Sequence, residues 1–168
     1  MQEQKNNIVG TEHEIAGRKW IVLEKTDNGY LCITEAFVKI CEFDVRTNDW
    51  KDSELRKWLN EEFIKELDGV NIVPFERDLI SLDGQTEYGK CVDSISLLTQ
   101  HEYQRNRANL PNTGSFWWLV TPWSTPCNGY KYPVAVVAPS GGIPHGNFCF
   151  NDDGVRPVCI FPPCIFES

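Results

Sequence analysis

The sequence predicts one α+β domain in which a single amphipathic helix packs on an antiparallel sheet. Apolar β-formers flank a polar segment ending in Asn-Gly within residues 20–34, which is a hairpin signal. Apolar residues recur at three- and four-residue spacing over residues 54–67, which is typical of a helix with one buried face. Several short apolar runs separated by Gly- and Pro-rich segments fill residues 117–161 and indicate strands.

Composition sets the broad class. The chain has 168 residues, of which 41% are hydrophobic and 12% aromatic, enough for one packed domain. We expect residues 1–13 to be a flexible polar segment and residues 14–168 to form the domain. The net charge of −8 would repel a phosphate backbone, so no nucleic-acid partner is expected. With neither an apolar signal-peptide core nor an apolar run of about 20 residues, the sequence predicts a cytoplasmic protein without membrane contact.

The cysteines predict thiols rather than a disulfide framework. Their number is seven, which is odd, and none lies in a C-x-x-C pair or at the spacing of a zinc site. Cys32, Cys149 and Cys159 stand in apolar runs, where cysteine usually acts as a small core hydrophobe. We therefore expect mostly reduced thiols.

In the first half of the chain, residues 20–23 and 30–34 are predicted to be paired strands. Asp52 or Ser53 is placed to cap the helix over 54–67, and Gly69 follows its end. The predicted apolar face comprises Leu55, Trp58, Leu59, Phe63 and Leu67. Trp58 is thus assigned a structural, buried role.

The second half alternates loops with short elements. Residues 70–74 are predicted to be extended, 83–89 a loop and 95–98 a short buried strand. Thr99 is expected to cap a brief helix from Gln100, with Glu102 at the reciprocal capping position. After a loop over 105–114, strands of one antiparallel sheet are predicted at residues 117–120, 134–138, 148–150 and 158–161.

Residues 123–151 are the predicted binding surface. Aromatic rings offer a large contact area at low entropic cost, and Asn and Ser offer adaptable hydrogen bonds. We expect the rings of Trp123, Tyr130 and Tyr132 to face solvent. Polar contacts are expected from Asn128, Lys131, His145 and Asn147. The alternative is that the prolines of this segment fold it onto itself and bury all three rings, as an ordinary loop.

Trp117 and Trp118 are treated apart because they alternate on a predicted strand. Alternation sends neighbouring side chains to opposite faces of a sheet. We assign the ring of Trp117 to the core and expect the ring of Trp118 to form the floor of the binding site.

Four blocks occur in one order. Residues 50–60 read W-K-D-S-E-L-R-K-W-L-N, 93–99 read D-S-I-S-L-L-T, 117–122 read W-W-L-V-T-P and 154–157 read G-V-R-P. Over residues 15–162 the chain resembles an uncharacterised domain family of gut bacteria and their phages, with W-x-x-S-x-L-R-x-W-L-N, W-W-L-R-S-P and G-V-R-P-A blocks. The family in turn resembles the C-type-lectin-like fold of formylglycine-generating enzymes and of the variable proteins of diversity-generating retroelements.

The resemblance implies a small twisted antiparallel sheet with flanking helices, and a ligand face between the W-W-L and G-V-R-P blocks. The chain departs from the family at two places. It has Val120-Thr121 where Arg-Ser is usual, which removes any ion pair of that arginine, and Val158-Cys159 where Ala-Leu is usual. The cysteine motif of the formylglycine-generating enzymes has no counterpart here, so that activity is not implied.

No catalytic signature stands out. The sequence has no G-x-S-x-G, no H-E-x-x-H and no glycine-rich phosphate loop. The candidate nucleophiles are Cys127 or Cys149 paired with His145.

Other polar groups offer two further interpretations. Calcium ligands would have to come from Asn151, Asp152, Asp153 and Glu102, without a calcium-loop pattern. Arg56 and Arg156 are interpreted as structural, each holding carbonyls or a carboxylate at the end of an element.

The function predicted is therefore a non-enzymatic recognition module that binds a protein or small-molecule ligand without metal or cofactor. One alternative is a phage-encoded inhibitor or virion protein that covers a basic host surface. The other alternative is a Cys-His enzyme.

Overall fold

A computed structural model describes residues 7–167. The first six residues of the predicted flexible segment 1–13 lie outside the described part, as does the last residue of the chain. The later residues of that segment are engaged with the domain. Gly10 donates a backbone hydrogen bond to Val22, and Glu12 and His13 belong to the first strand.

The described residues form an α+β domain dominated by strands. The strands are β1 (Glu12–Ile15), β2 (Arg18–Lys25), β3 (Tyr30–Thr34), β4 (Lys39–Cys41), β5 (Phe75–Asp78), β6 (Lys90–Asp93), β7 (Trp117–Pro122), β8 (Pro133–Val137), β9 (His145–Phe148), β10 (Asp153–Val155) and β11 (Val158–Phe161). The helices are α1 (Glu54–Glu61) and α2 (Gln100–Arg105), with short 3-10 turns between elements. No helix among residues 7–167 is long and apolar enough to cross a membrane.

The first sheet has the order β1-β2-β3-β11 and is antiparallel throughout. The predicted hairpin is confirmed as β2 and β3, closed by a hydrogen bond from Thr26 N to Gly29 O at 2.7 Å. A side chain at Gly29 would collide with the backbone of Phe161, so glycine lets the turn approach β11 closely.

The second sheet has the order β4-β10-β7-β8-β9, and a two-stranded sheet joins β5 to β6. The pairing of β10 with β7 is parallel, whereas the other pairs of the second sheet are antiparallel. The prediction of one antiparallel sheet is therefore wrong, and two of the predicted strands also need correction. The predicted strand 158–161 belongs to the first sheet, and the predicted strand 148–150 is β9, which begins at His145 and ends at Phe148.

Helix α1 begins as predicted, because the Ser53 side chain accepts a hydrogen bond from Arg56 N. Leu55 and Leu59 are buried, and the helical path continues as a 3-10 turn, Phe63–Leu67, whose two end residues are also buried. Trp58 departs from the prediction. It is half-buried, and the ammonium of Lys39 lies 4.4 Å from the centre of its ring.

Strand β7 is buried on both faces. Trp118 and Val120 belong to one core cluster together with the apolar face of α1, whereas Trp117 and Leu119 belong to a second cluster that includes Tyr103 of α2. The exposed fractions of the two indoles are 2% for Trp117 and 0% for Trp118. The prediction that Trp118 floors a binding site is therefore wrong. Its indole N–H donates to the carbonyl of Cys41 at 2.9 Å, inside the protein.

The segment before α2 is buried as predicted but is not a strand. Only Ser96 pairs there, in an isolated bridge to Val158. The capping box of α2 is confirmed, since Thr99 and Glu102 exchange side-chain and backbone hydrogen bonds. Glu102 also forms an ion pair at 2.6 Å with Arg77, whose side chain is 2% exposed.

Candidate binding surface

Three large rings lie together on the surface at the end of β9 and the start of β8. Tyr132, Phe148 and Phe150 are 40%, 51% and 45% exposed. The ring centres of Phe148 and Phe150 are 5.4 Å apart and stacked, and those of Tyr132 and Phe150 are 5.8 Å apart and edge-on. We call these three residues the aromatic face. Contiguous apolar surface of this kind commonly marks a site of interaction.

Hydrogen bonds hold the backbone around Cys149 to two neighbouring segments. Cys149 is fully buried; its N–H donates to Tyr132 O at 2.8 Å, and its carbonyl accepts from Phe43 N and Asp44 N. Strand β9 ends at Phe148, and residues 148–151 form a turn closed by a hydrogen bond from Asn151 N to Phe148 O at 2.9 Å. Within this turn Cys149 is buried, whereas Phe148 and Phe150 are exposed.

Asn48 holds the segment that precedes the aromatic face. Asn48 is fully buried, and its side-chain amide donates to the carbonyls of Ser124 at 2.9 Å and Pro133 at 3.0 Å. Its side-chain oxygen accepts from the hydroxyl of Tyr88, and its own N–H donates to Lys131 O at 2.9 Å. One side chain thus joins both ends of the 124–133 segment.

Two carboxylates hold the outer part of the same segment. Asp83 accepts from the Ser124 hydroxyl at 2.6 Å and from the Asn128 amide at 3.0 Å. Hydrogen bonds from Ser124 and from Ser81 hold the pKa of Asp83 below its usual range. Glu87 accepts from Cys127 N at 3.0 Å. The segment is therefore ordered by side chains from the preceding loop over residues 81–89.

Most of the polar residues expected at the site are on the surface. Lys131 and His145 are exposed, and the Lys131 ammonium lies 5.6 Å from the centre of the Tyr132 ring. Asn128 is exposed but engaged with Asp83, as described above. Asn147 donates to Asp153 at 2.7 Å, so its amide is also used within the protein.

Among the three rings expected in solvent, Tyr130 and Tyr132 are exposed at 46% and 40%. The expectation for Trp123 needs correction, because this side chain is half-buried. Its indole lies against Gly146 of β9 so closely that a methyl group on Gly146 would meet the ring at 2.7 Å. Trp123 therefore packs the segment onto the sheet rather than projecting from it.

Phe148 and Phe150 are the residues that sequence reasoning missed. The sequence predicts a strand over residues 148–150 and assigns no role to the two rings. Strand alternation could not have identified them, because Cys149 and Phe150 lie in a turn rather than a strand.

Arg56 and Arg156 both hold backbone carbonyls. Arg56 Nε donates to Asp93 at 2.7 Å and Nη1 donates to Lys51 O at 3.1 Å, while the same carboxylate accepts from the indole of Trp50. Arg156 Nε donates to Thr34 O at 3.1 Å. Arg56 has a carboxylate partner, whereas Arg156 forms no ion pair within residues 7–167.

The thiols near the site have raised pKa values. A hydrogen bond with Glu87 raises the pKa of the exposed Cys127 thiol, and burial raises the pKa of Cys149 to about 11. No hydrogen bond joins His145 to either sulfur in the described part of the chain. A nucleophilic cysteine needs a lowered pKa, so these environments do not support a Cys-His nucleophile.

The oxygen ligands considered for calcium are not brought together. Glu102 is held by Arg77, and Asp153 accepts from Asn147. Within residues 7–167, no group of three or more His, Cys, Asp or Glu side chains is placed to hold a metal ion.

Comparison of the chain with protein-family models, with curated proteins and with solved structures finds no match. The resemblance to the gut-bacterial and phage domain family therefore rests on its four sequence blocks and stays a prediction. The candidate site rests on geometry, namely the exposed rings and the buried groups that order the backbone beneath them.

Proposed function

We propose that the chain is a non-enzymatic recognition module of C-type-lectin-like fold that binds a protein ligand through the aromatic face. The observation that carries the proposal is the contact between Tyr132, Phe148 and Phe150 on the surface. Each ring is at least 40% exposed, so a ligand that covers them removes a large apolar area from water. Aromatic anchors of this kind dominate the energy of many protein interfaces.

The order of the segment beneath the rings supports the same proposal. Binding costs free energy when loops must be immobilised, and a segment already held by Asn48, Asp83 and Glu87 has little freedom left to lose. Lys131, with its ammonium beside Tyr132, supplies a charge at the rim. A carboxylate on the ligand would complement it.

The fold assignment in the proposal is supported by the four ordered blocks and by the architecture. The first sheet is small and antiparallel, and α1 and α2 are the flanking helices that the resemblance implies. The aromatic face also lies where the resemblance implies a ligand face, between the W-W-L and G-V-R-P blocks.

The test uses single alanine variants of the aromatic face and a matched control. Ile40→Ala serves as the control, because Ile40 is 65% exposed on β4, at the opposite edge of the same sheet. Proteins retained from a cell lysate by the immobilised wild-type chain are quantified, and their affinity for each variant is then measured. We expect Tyr132→Ala and Phe150→Ala to weaken binding by about 2 kcal/mol, or roughly 30-fold, with Ile40→Ala unchanged.

The circular dichroism spectrum and urea midpoint of each variant show whether it is folded. A ligand whose affinity is the same for the wild type, Tyr132→Ala and Phe150→Ala would place the binding surface elsewhere and refute the proposal.

A further inference from the structure

Arg156 is a buried cation without a counter-ion. The side chain is 1% exposed, and its guanidinium carbon lies 4.9 Å from the centre of the Trp117 ring. Its Nε donates to Thr34 O, but its Nη1 is buried and has no hydrogen-bond partner in the protein. Removal of a guanidinium from water without a carboxylate partner is costly, so an unsatisfied donor of this kind calls for an explanation.

Burial also disfavours the charged form of the guanidinium. Desolvation lowers the pKa of Arg156 to about 10, although Tyr103 and Glu35 partly oppose the shift. Glu35 lines the same pocket as Arg156, but the two groups do not form an ion pair in the described part of the chain.

Arg156 forms part of the wall of a pocket of about 320 Å³. Glu12 of β1, Glu35 and Phe37 after β3, and Asn112 and Thr113 before β7 form most of the remaining wall. The volume lies at the lower end of the range of roughly 300 to 1,000 Å³ that is usual for small-molecule sites. The pocket shares no residue with the aromatic face.

The polar groups of the pocket have opposite signs. Asn112 Oδ1 accepts from Arg107 at 2.7 Å, and its amide N–H groups have no acceptor among residues 7–167, so this residue of the pocket wall has donors free for a ligand. Glu12 and Glu35 are exposed and form no ion pair in the described part of the chain. A simple anion would satisfy Arg156 but meet two carboxylates, whereas a simple cation would satisfy the carboxylates but meet the guanidinium.

We propose that this pocket binds a small zwitterion that carries a carboxylate and an amino group, as free amino acids and short peptides do. The carboxylate binds the guanidinium of Arg156 and the amide of Asn112. The ammonium group lies toward Glu35 and Glu12 at the rim. A ligand of this kind supplies the missing counter-ion and satisfies both signs of charge at once.

Calorimetric titration of the full chain tests the proposal. The probes are glycine, 4-aminobutyrate and glycylglycine, which are zwitterions of different length, with acetate and methylammonium as single-charge controls. We expect at least one zwitterion to bind at least tenfold more tightly than either control. Preference for glycine or 4-aminobutyrate would identify an amino acid as the ligand, and preference for glycylglycine a peptide.

Rim variants keep the test independent of folding, because Arg156 itself is a core residue. Glu35→Gln is expected to weaken zwitterion binding at least fivefold and to leave acetate binding unchanged or stronger. Glu14→Gln is the matched control, since Glu14 is exposed on β1 and does not line the pocket.

Three results would overturn the proposal. The first is acetate binding as tightly as every zwitterion, which would indicate a plain anion site. The second is equal effects of Glu35→Gln and Glu14→Gln. The third is the absence of binding heat from every probe at concentrations up to about 10 mM, since a dissociation constant above that value is far weaker than ordinary ligand affinities. Water alone would then contact the guanidinium.

Discussion

Replacement of Asn48 by alanine tests whether one buried amide orders the 124–133 segment. The substitution removes the hydrogen bonds from Nδ2 to the carbonyls of Ser124 and Pro133 and the bond that Tyr88 donates to Oδ1. The bond from Asn48 N to Lys131 O belongs to the backbone and is retained. It also removes a long bond of 3.5 Å from Nδ2 to Tyr130 O, so the perturbation comprises four side-chain hydrogen bonds, three of them short, at a fully buried position.

The magnitude follows from the three short bonds. Each contributes about 1 kcal/mol net, and a buried partner left unsatisfied adds to the cost, so we expect the free energy of unfolding to fall by about 3 kcal/mol. That is a large part of the roughly 5 to 15 kcal/mol that stabilises a domain of this size. The loss should be concentrated at residues 124–133, because the donated bonds end there.

Urea denaturation measures the overall loss, and amide hydrogen exchange locates it. Exchange should accelerate at the N–H groups of Asn128 and Tyr130, both of which donate to Thr125 O. Asn71→Ala is the control, because Asn71 is exposed. A loss below about 1 kcal/mol for Asn48→Ala, with unchanged exchange in the segment, would refute the view that Asn48 orders it.

Three further substitutions test the helices. We expect Leu59→Ala to lower the free energy of unfolding, measured by urea denaturation, by about 2 to 5 kcal/mol, because Leu59 is fully buried. Trp58→Ala should lower it by less, because Trp58 is half-buried. A larger loss for Trp58→Ala than for Leu59→Ala would contradict the packing of α1. Burial raises the pKa of Glu102, but the hydrogen bonds and charge of Arg77 outweigh it and leave the pKa lowered. The ion pair therefore stabilises the fold above the ordinary carboxyl pKa of about 4.3, and its contribution is lost as pH falls through the lowered value. Glu102→Gln keeps the capping box but removes the carboxylate. We therefore expect the urea midpoint of this variant to fall less steeply below about pH 5 than that of the wild type. Parallel plots of midpoint against pH for the variant and the wild type would show that the ion pair contributes nothing.

The elements that the sequence predicted correctly depend on neighbours in the chain. The Asn-Gly turn, the Ser53 cap and the capping box of Thr99 and Glu102 are satisfied within a few residues. Their hydrogen bonds form wherever the segment lies in the fold. The same reasoning placed β11 with its observed bounds but could not choose its sheet.

Sheet membership and burial were missed because they depend on residues distant in sequence. Alternation on β7 separates Trp117 from Trp118, but only the packing of α1 on one side and α2 on the other shows that both faces are covered. Trp123 was expected in solvent for the same reason, since no local pattern reveals that Gly146 leaves room for its indole. Local sequence thus separated the faces of a strand without showing what covers each face.

The loop over residues 43–48 is tied to the backbone of the proposed binding surface. Val45 is 55% exposed, and the preceding residue, Asp44, donates its N–H to the carbonyl of Cys149, which lies between the two exposed phenylalanines. The loop that leads to Asn48 is therefore joined to the backbone between the two phenylalanines. Asp44 N and Asn48 N donate to the carbonyls of Cys149 and Lys131, so backbone hydrogen bonds fix the position of this loop, whereas side chains of Asn48, Asp83 and Glu87 order residues 124–133. If the proposed ligand covers the rings, it would meet backbone that is already ordered, and the free energy of burial would be opposed by little loss of loop freedom.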